Sequence, residues 1–183
     1  MFARLLTVLL LLPAAAAAQM PDDHPYKGVK VGDYAKYKNT ALFGGPAAES
    51  LVTMTVTATT DKEVTIRVES YRDGAKLHER EEKHDLTRPY DPIAALTQKE
   101  APLVKLKEGK AKVRAGGRDY DTTWTTYQAV GKGKAAGTTA EITWWMSPAV
   151  PGGMVRSEVV TVRDGKRFAQ TEELIETGRG QPK

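Results

Sequence analysis

Apolar and polar residues alternate with a period of two along most of the chain. In LVTMTVTATT, residues 51–60, four apolar residues are separated by threonines, and EVTIRVESY, residues 63–71, repeats the pattern. Because successive side chains of a β-strand point to opposite faces, both segments are predicted to be strands with one buried face. The Asp61–Lys62 pair between them predicts a tight reversal, so the two strands are expected to form a hairpin.

The same alternation, punctuated by glycine, predicts strands along the rest of the sequence. The turns expected from sequence are Asp73–Gly74, Gly116–Gly117 and Asp164–Gly165, since glycine tolerates the positive φ that tight turns need. The GKGKAAG segment, residues 131–137, is expected to be a flexible loop. The additional predicted strands cover residues 31–40, 75–86, 104–109, 110–116, 118–130, 138–147, 154–163 and 166–177.

One segment departs from the period of two. Prolines at 89, 92 and 102 bracket a short predicted helix over residues 93–99, with Asp91 as its cap and Pro92 in its first turn. With strands at hairpin spacing and one helical candidate, the fold class is predicted as mainly β. The expected architecture is an antiparallel meander that forms a curved sheet or an unclosed half-barrel, with one short helix.

The first 18 residues have the pattern of a secretory signal peptide. Arg4 is followed by the apolar run Leu5–Leu12 and by Ala16–Ala18, a small-residue cleavage site. The apolar run is shorter than the roughly 20 residues of a membrane span, so no stable membrane anchor is expected. The sequence therefore predicts an exported protein, periplasmic or extracellular, with a single β domain over residues 19–177 and a disordered tail over 178–183.

Composition narrows the candidate chemistry. The chain has no cysteine, which excludes disulfides, thiol catalysis and cysteine-based metal sites. The formal net charge is +4, with acidic and basic residues interspersed, and this pattern with export argues against a nucleic-acid partner. The GKGKAAG segment has neither the Walker spacing nor a following helix, so it is not read as a phosphate-binding loop.

No catalytic or metal-binding constellation is recognised. The serines at positions 50, 70, 147 and 157 lie outside a G-x-S-x-G elbow. His78 and His84 share one predicted strand at a separation of roughly 20 Å, too far for a common metal, and His24 is expected in a mobile lead-in. We therefore expect no enzyme activity, no cofactor and no metal.

The segment EITWWMSPAVPGGMVRSE, residues 141–158, holds two adjacent tryptophans. On a strand Trp144 would share a face with Ile142 and Met146, as in a core, whereas Trp145 would point to the other face. Either that second face is also covered, as in a sandwich, or Trp145 is presented to solvent or a ligand. The candidate ligand-binding residues are Trp145, Trp124, Tyr120 and Ser147. The residues expected to form a structural corner are Pro148, Pro151, Gly152 and Gly153.

Three short motifs carry a resemblance to known proteins. VGDY at 31–34, GGR at 116–118 and WMSPAVPGGMVR at 145–156 resemble a group of exported bacterial proteins with a W-x-S-x-x-V-P-G-G-x-V-[KR] signature. More distantly, the chain is similar to the unclosed β-barrels of periplasmic lipoprotein carriers. The resemblance implies a half-barrel and an extracytoplasmic role, with no established activity and no catalytic residue to carry over.

Two functional hypotheses follow from the sequence. The first is a non-catalytic binding protein that shelters a lipid, an acyl chain or a lipidated envelope partner in a β half-barrel. The second is a structural or interaction protein of the cell envelope that has the same fold but a filled core and no small-molecule ligand.

Overall fold

The computed structural model describes residues 24–42, 45–88, 90, 103–131 and 137–180. These residues form nine β-strands and contain no helix. The segment predicted as a short helix, 93–99, lies outside the described residues, as does the predicted signal peptide. The strands are β1 (Asp33–Leu42), β2 (Ala48–Thr59), β3 (Glu63–Arg72), β4 (Ala75–Asp85), β5 (Leu103–Ala115), β6 (Arg118–Val130), β7 (Thr138–Met146), β8 (Met154–Arg163) and β9 (Lys166–Arg179).

All nine strands belong to one antiparallel sheet with the order β4-β3-β2-β1-β9-β8-β7-β6-β5. The sheet consists of two meanders, β1–β4 and β5–β9, joined where β1 pairs with β9. Strands β4 and β5 are therefore its two edges, and the sheet is not closed. The mainly β, antiparallel fold class predicted from sequence is confirmed.

The predicted turns lie where the chain reverses. Asp73 and Gly74 both have positive φ, as do Gly116 with Gly117 and Asp164 with Gly165. Positive φ at both central residues is the geometry that matches the right-handed twist of a two-residue hairpin. These three glycine-containing turns therefore fix the register of β3–β4, β5–β6 and β8–β9.

Two strand boundaries differ from the sequence prediction. Residues 104–116 were predicted as two strands. Residues 104–115 instead lie in the single strand β5, which has a register shift between Lys105 and Lys107. Strand β9 continues to Arg179, whose guanidinium Nε–H donates to the Asp33 carboxylate at 2.6 Å. The predicted disordered tail was therefore wrong for residues 178 and 179, because the β1 partner strand holds them.

The sheet is strongly curled. A β-carbon on Gly116, at the tip of the β5–β6 hairpin, would lie 2.8 Å from the Ile175 carbonyl oxygen of β9. Strands β5 and β9 are four positions apart in the sheet order, a separation of about 19 Å in a flat sheet with strands roughly 4.8 Å apart. The close contact therefore requires curvature, as the half-barrel prediction supposed.

Buried residues form three clusters. The first joins β1, β8 and β9 to the β5–β6 tip and comprises Ala35, Tyr37, Ala115, Tyr120, Val150, Val155 and Leu174. The second lies under β2 and β3 and comprises Tyr26, Val56, Val64, Ile66 and Val68. The third consists of Tyr127, Ile142 and Trp144. We call the side of the sheet that carries Tyr37, Leu174, Ile142 and Trp144 the core face, because directly paired residues project from the same side.

The predicted corner occupies residues 147–153 between β7 and β8. Its backbone is closed by Ser147 N–H donating to the Gly153 carbonyl at 2.7 Å and Gly153 N–H donating to Val150 at 2.8 Å. Val150 is buried in the first cluster, and Gly152 and Gly153 have φ of +80° and +78°. We call this end of the sheet the corner end, and the opposite end, with the Asp164–Gly165 turn, the distal end.

Candidate functional site

The four candidate ligand-binding residues do not form one site. Trp124 and Trp145 lie directly opposite each other on β6 and β7. Tyr120 is 6% exposed within the first cluster, and Ser147 is 4% exposed in the corner. The structure therefore brings the two tryptophans together on the face away from Trp144 and places the other two residues in packed surroundings.

The two tryptophans are half-buried against neighbouring strands. A β-carbon on Gly109, the β5 partner of Trp124, would lie 2.8 Å from the indole, so this glycine makes room for the ring. On the other side, the Arg156 guanidinium lies 5.5 Å from the Trp145 ring centroid and is also paired with Glu158. A guanidinium over an indole face is a favourable cation–π contact, so the Trp145 ring already has a partner within the chain.

Trp144 lies on the core face, as the period of two predicted. Its ring is 5.6 Å from that of Tyr127 on β6, and it is 8% exposed in the third cluster. Met146, Met154 and Val159 pack around this cluster from β7 and β8. An aromatic and aliphatic wall therefore lines the core face between β6 and β8.

The character of the core face changes along the strands. At the corner end its side chains are close-packed, with Ala35, Val155 and Leu174 at 0% exposure and Tyr37 at 1%. From the Trp144 row towards the distal end, the same side carries the large side chains of Tyr127, Ile142 and Phe168. Eight other positions there are small, aliphatic or polar and mostly half-buried. We call this group the distal core face; it comprises Asn39, Ala41, Ala48, Ala140, Ser157, Val159, Gln170 and Glu172.

Glu172 is the ionisable residue of the distal core face. It lies between Ser157 of β8 and Asn39 of β1, in the same cross-strand row as Trp144. Burial raises the pKa of its carboxyl above the ordinary range of glutamate. Among the described residues, no hydrogen-bond donor or cation pairs with this carboxylate.

Tyr37 is the titratable neighbour of Glu172 on the core face. Its hydroxyl donates to the Met154 carbonyl at 3.0 Å and is therefore already engaged. Burial, with the nearby Glu172 charge as a smaller contribution, holds the pKa of Tyr37 well above its usual value. Tyr37 consequently stays neutral, and its hydroxyl hydrogen is used on the Met154 carbonyl rather than on Glu172.

A second ionisable cluster lies where the lead-in segment crosses the sheet. Tyr26 contacts His84 at 4.9 Å between ring centroids, and His24 lies 6.3 Å from His84 and 5.1 Å from Tyr90. His24 was expected in a mobile lead-in, and this was wrong, because Tyr26 inserts into the second cluster and fixes its neighbour. The pKa of His24 is lowered by burial and, to a smaller extent, by His84.

This histidine cluster has too few ligands to be read as a metal centre. Within the described ranges, no group of three or more His, Cys, Asp or Glu side chains could hold a metal ion. The same part of the chain contains no helix with the length and apolarity needed to cross a membrane.

Sequence reasoning did not single out Glu172, although a signal was present. In FAQTEELI the alternate positions Phe168, Gln170, Glu172 and Leu174 share one face of a strand, so the alternation puts a glutamate on the same side as two large apolar residues. A carboxylate on a face that is otherwise buried is rare without a partner or a role. Local alternation does not show how strongly the rest of the sheet buries that face.

No protein-family model matches the sequence, and no curated protein matches it significantly. Among solved structures, a protein from Bacteroides fragilis described as exported, with a YmcC-like fold, superposes with a TM-score of 0.57 at 10% identity, covering 82% of this chain and 97% of the other. A protein from Parabacteroides distasonis described as a lipoprotein gives 0.55 at 13% identity, covering 81% and 96%. The chain therefore shares its fold with these two bacterial proteins.

The distant similarity to lipoprotein carriers has weaker support. A domain from Vibrio parahaemolyticus described as an outer membrane lipoprotein-sorting protein covers 80% of this chain and 84% of its own, at 6% identity. Its TM-score is 0.30, a value too low to establish a common fold.

Proposed function

We propose that this protein is an exported, non-catalytic binding protein of the cell envelope that shelters an apolar group on the distal core face. The apolar group would belong to a lipid, an acyl chain or a lipidated partner. The observation that carries the proposal is the contrast along one face of the sheet. It is close-packed at the corner end, and at the distal end an aromatic and aliphatic wall stands beside small or polar, mostly half-buried residues.

The lining suits a ligand with an extended apolar part. Tyr127, Ile142 and Trp144 provide a wall of large side chains, and Ala41, Ala48 and Ala140 are small residues on the same face. Ligand pockets in proteins are predominantly apolar with a few polar groups that fix orientation, and Ser157, Asn39 and Glu172 are polar groups of this kind. Export, predicted from the N-terminal segment, would place the protein where lipids and lipoproteins cross the envelope.

The proposal is tested by binding of the apolar dye 1-N-phenylnaphthylamine, whose fluorescence rises in an apolar site. The wild-type protein should bind the dye and gain thermal stability, because a ligand that binds only the folded state raises the melting temperature. Ala140→Trp should fill the space and abolish the dye signal. Ala169→Trp, on the opposite face of β9, is the matched control and should retain it.

The alternative is a structural or interaction protein with a filled core. The complete packing of the corner end favours it, since that half of the sheet needs no ligand to be covered. On this alternative the wild-type protein would show neither dye fluorescence nor thermal stabilisation, and Ala140→Trp would behave like Ala169→Trp.

A further inference from the structure

Resting on the proposed function, we infer that Glu172 makes the distal core face selective for apolar ligands whose head group donates hydrogen bonds. An ammonium or amide head group would be accepted at this position, and a carboxylate head group would be rejected. The shared chemistry is an N–H donor attached to an apolar chain.

The first support is the position of Glu172. It shares one cross-strand row with Ser157 of β8 and Trp144 of β7. Trp144 lies two strands away from Glu172, a distance of about 10 Å at the usual strand spacing. A ligand lying across this row would place its apolar part against Trp144 and Ile142 while its head group reached Glu172. The row is therefore polar at one end and aromatic at the other.

The second support is that the neighbouring groups leave the carboxylate without a donor. Tyr37 uses its hydroxyl on the Met154 carbonyl, and no described cation or donor contacts the Glu172 oxygens. The basic side chains next to this carboxylate in the register, Lys38 and Arg156, lie on the opposite face and pair with Glu49 and Glu158. A half-buried carboxylate without a partner lowers the stability of a protein, so a ligand donor is the natural complement.

The third support is the contrast with the adjacent residue. Glu173 lies on the other face, in one row with the cations Arg156 and Lys38, which are ion-paired with Glu158 and Glu49. Consecutive glutamates thus occupy two opposite environments. Glu172 alone of the two has the surroundings of a ligand-facing acid.

An ionised carboxylate only accepts hydrogen bonds, which sets the sign of the selectivity. An ammonium or amide group would supply the missing N–H donor and form a charge-assisted bond. A fatty-acid carboxylate would place a second negative charge beside the first, and like charges in a partly buried site disfavour each other.

Displacement of 1-N-phenylnaphthylamine by decylamine, decanol and decanoate at pH 8, below their micelle-forming concentrations, tests the inference. The three competitors share one chain length and differ in the head group. Wild-type protein should prefer decylamine over decanoate by about tenfold to hundredfold, the range expected for one charge-assisted hydrogen bond. Glu172→Gln should reduce this ratio to within about threefold while decanol displaces as before. Glu173→Gln, the matched control, should keep the wild-type ratio.

The possible failures are distinguishable. If the dye binds but decylamine and decanoate displace it equally, or if the preference survives Glu172→Gln, the inference is overturned and the proposed function stands. If the wild-type protein gives no dye signal at all, the proposed function is wrong, and the inference that rests on it is wrong as well.

Discussion

The Tyr26 ring lies directly against Gly152, so close that a β-carbon at position 152 would stand 2.7 Å from the tyrosine hydroxyl oxygen. The neighbouring Gly153 is similarly confined, since a β-carbon there would come within 2.9 Å of the Met146 methyl and 3.0 Å of Pro25. The two glycines of the corner therefore serve two needs at once. They adopt positive φ, and they leave room for the lead-in segment that covers the second cluster.

Gly152→Ala is expected to destabilise the protein strongly. Alanine at a φ of +80° is strained, and its β-carbon would also displace the buried Tyr26 ring. We expect a loss of about 2–4 kcal/mol in the free energy of unfolding, measured by chemical denaturation.

Gly165→Ala is the matched control for this prediction. Gly165 has a φ of +71°, but no atom lies within 4 Å of the point where a β-carbon would stand, so the substitution carries only the backbone cost of about 1 kcal/mol. Equal losses for the two variants would show that Tyr26 does not dock on the corner.

The two adjacent tryptophans should contribute unequally to stability. Trp144→Ala opens a cavity beside Tyr127 and Ile142 and should cost about 3–5 kcal/mol. Trp145→Ala removes a half-buried ring and its contact with Arg156, and about 1–2 kcal/mol is expected. Chemical denaturation of both variants decides the point. A loss for Trp145→Ala as large as that for Trp144→Ala would mean that both faces of β7 are core.

The His24 cluster should make the docking of the lead-in segment sensitive to acid. The pKa of His24 is lowered in the folded protein, so the unfolded chain takes up the proton first as the pH falls below about 6.5. Stability linked to His24 is therefore present above that pH and is lost between pH 7 and pH 5. His84 adds to this loss when it is charged, and Asp85 opposes it.

Thermal unfolding of His24→Gln between pH 7.5 and pH 5 tests this prediction. The variant should lose less stability over that range than the wild-type protein, because glutamine takes up no proton. His78→Gln, at an exposed position of β4, should follow the wild-type curve. An unchanged pH dependence in His24→Gln would contradict the assignment.

Most of the sheet was predictable because its local elements carry local signals. Asp73–Gly74 and Asp164–Gly165 specify hairpins by their own conformational preferences, and alternation gives the strand between any two turns. The pairing of β1 with β9 has no such signal, because Tyr37 and Leu174 lie in strands at opposite ends of the sequence. The curl that brings Gly116 to Ile175 is likewise a property of the whole sheet.

The candidate site was predictable only in part for the same reason. The period of two correctly separated Trp144 from Trp145, and the pairing of Trp145 with Trp124 required the β6–β7 register. Tyr120 was chosen as a second aromatic on a neighbouring strand, but it packs with Tyr37 because the hairpin tip folds back to β9. Glu172 remained unnoticed because its isolation depends on Ser157 and Asn39 from two other strands.

Glu172→Gln should stabilise the protein in the absence of ligand. Burial raises the pKa of Glu172, so the folded state binds the proton more tightly than the unfolded chain, and stability linked to this group falls as the pH rises above about 4. At pH 7.5 glutamine removes that penalty, and we expect the melting temperature to rise by about 2 °C or more. Near pH 4 the carboxyl is largely protonated in the folded state, and the melting temperatures of Glu172→Gln and the wild-type protein should converge.

Glu173→Gln separates this effect from a general change of charge. Glu173 shares the opposite face with Arg156 and Lys38, so its removal should leave the melting temperature unchanged or lower it at pH 7.5. A residue that costs stability when the site is empty and gives selectivity when the site is filled is a frequent property of binding sites. A fall in the melting temperature of Glu172→Gln at pH 7.5 would show instead that the carboxylate stabilises the fold. A ligand that donates a hydrogen bond would then not be needed to explain why Glu172 stands in this position.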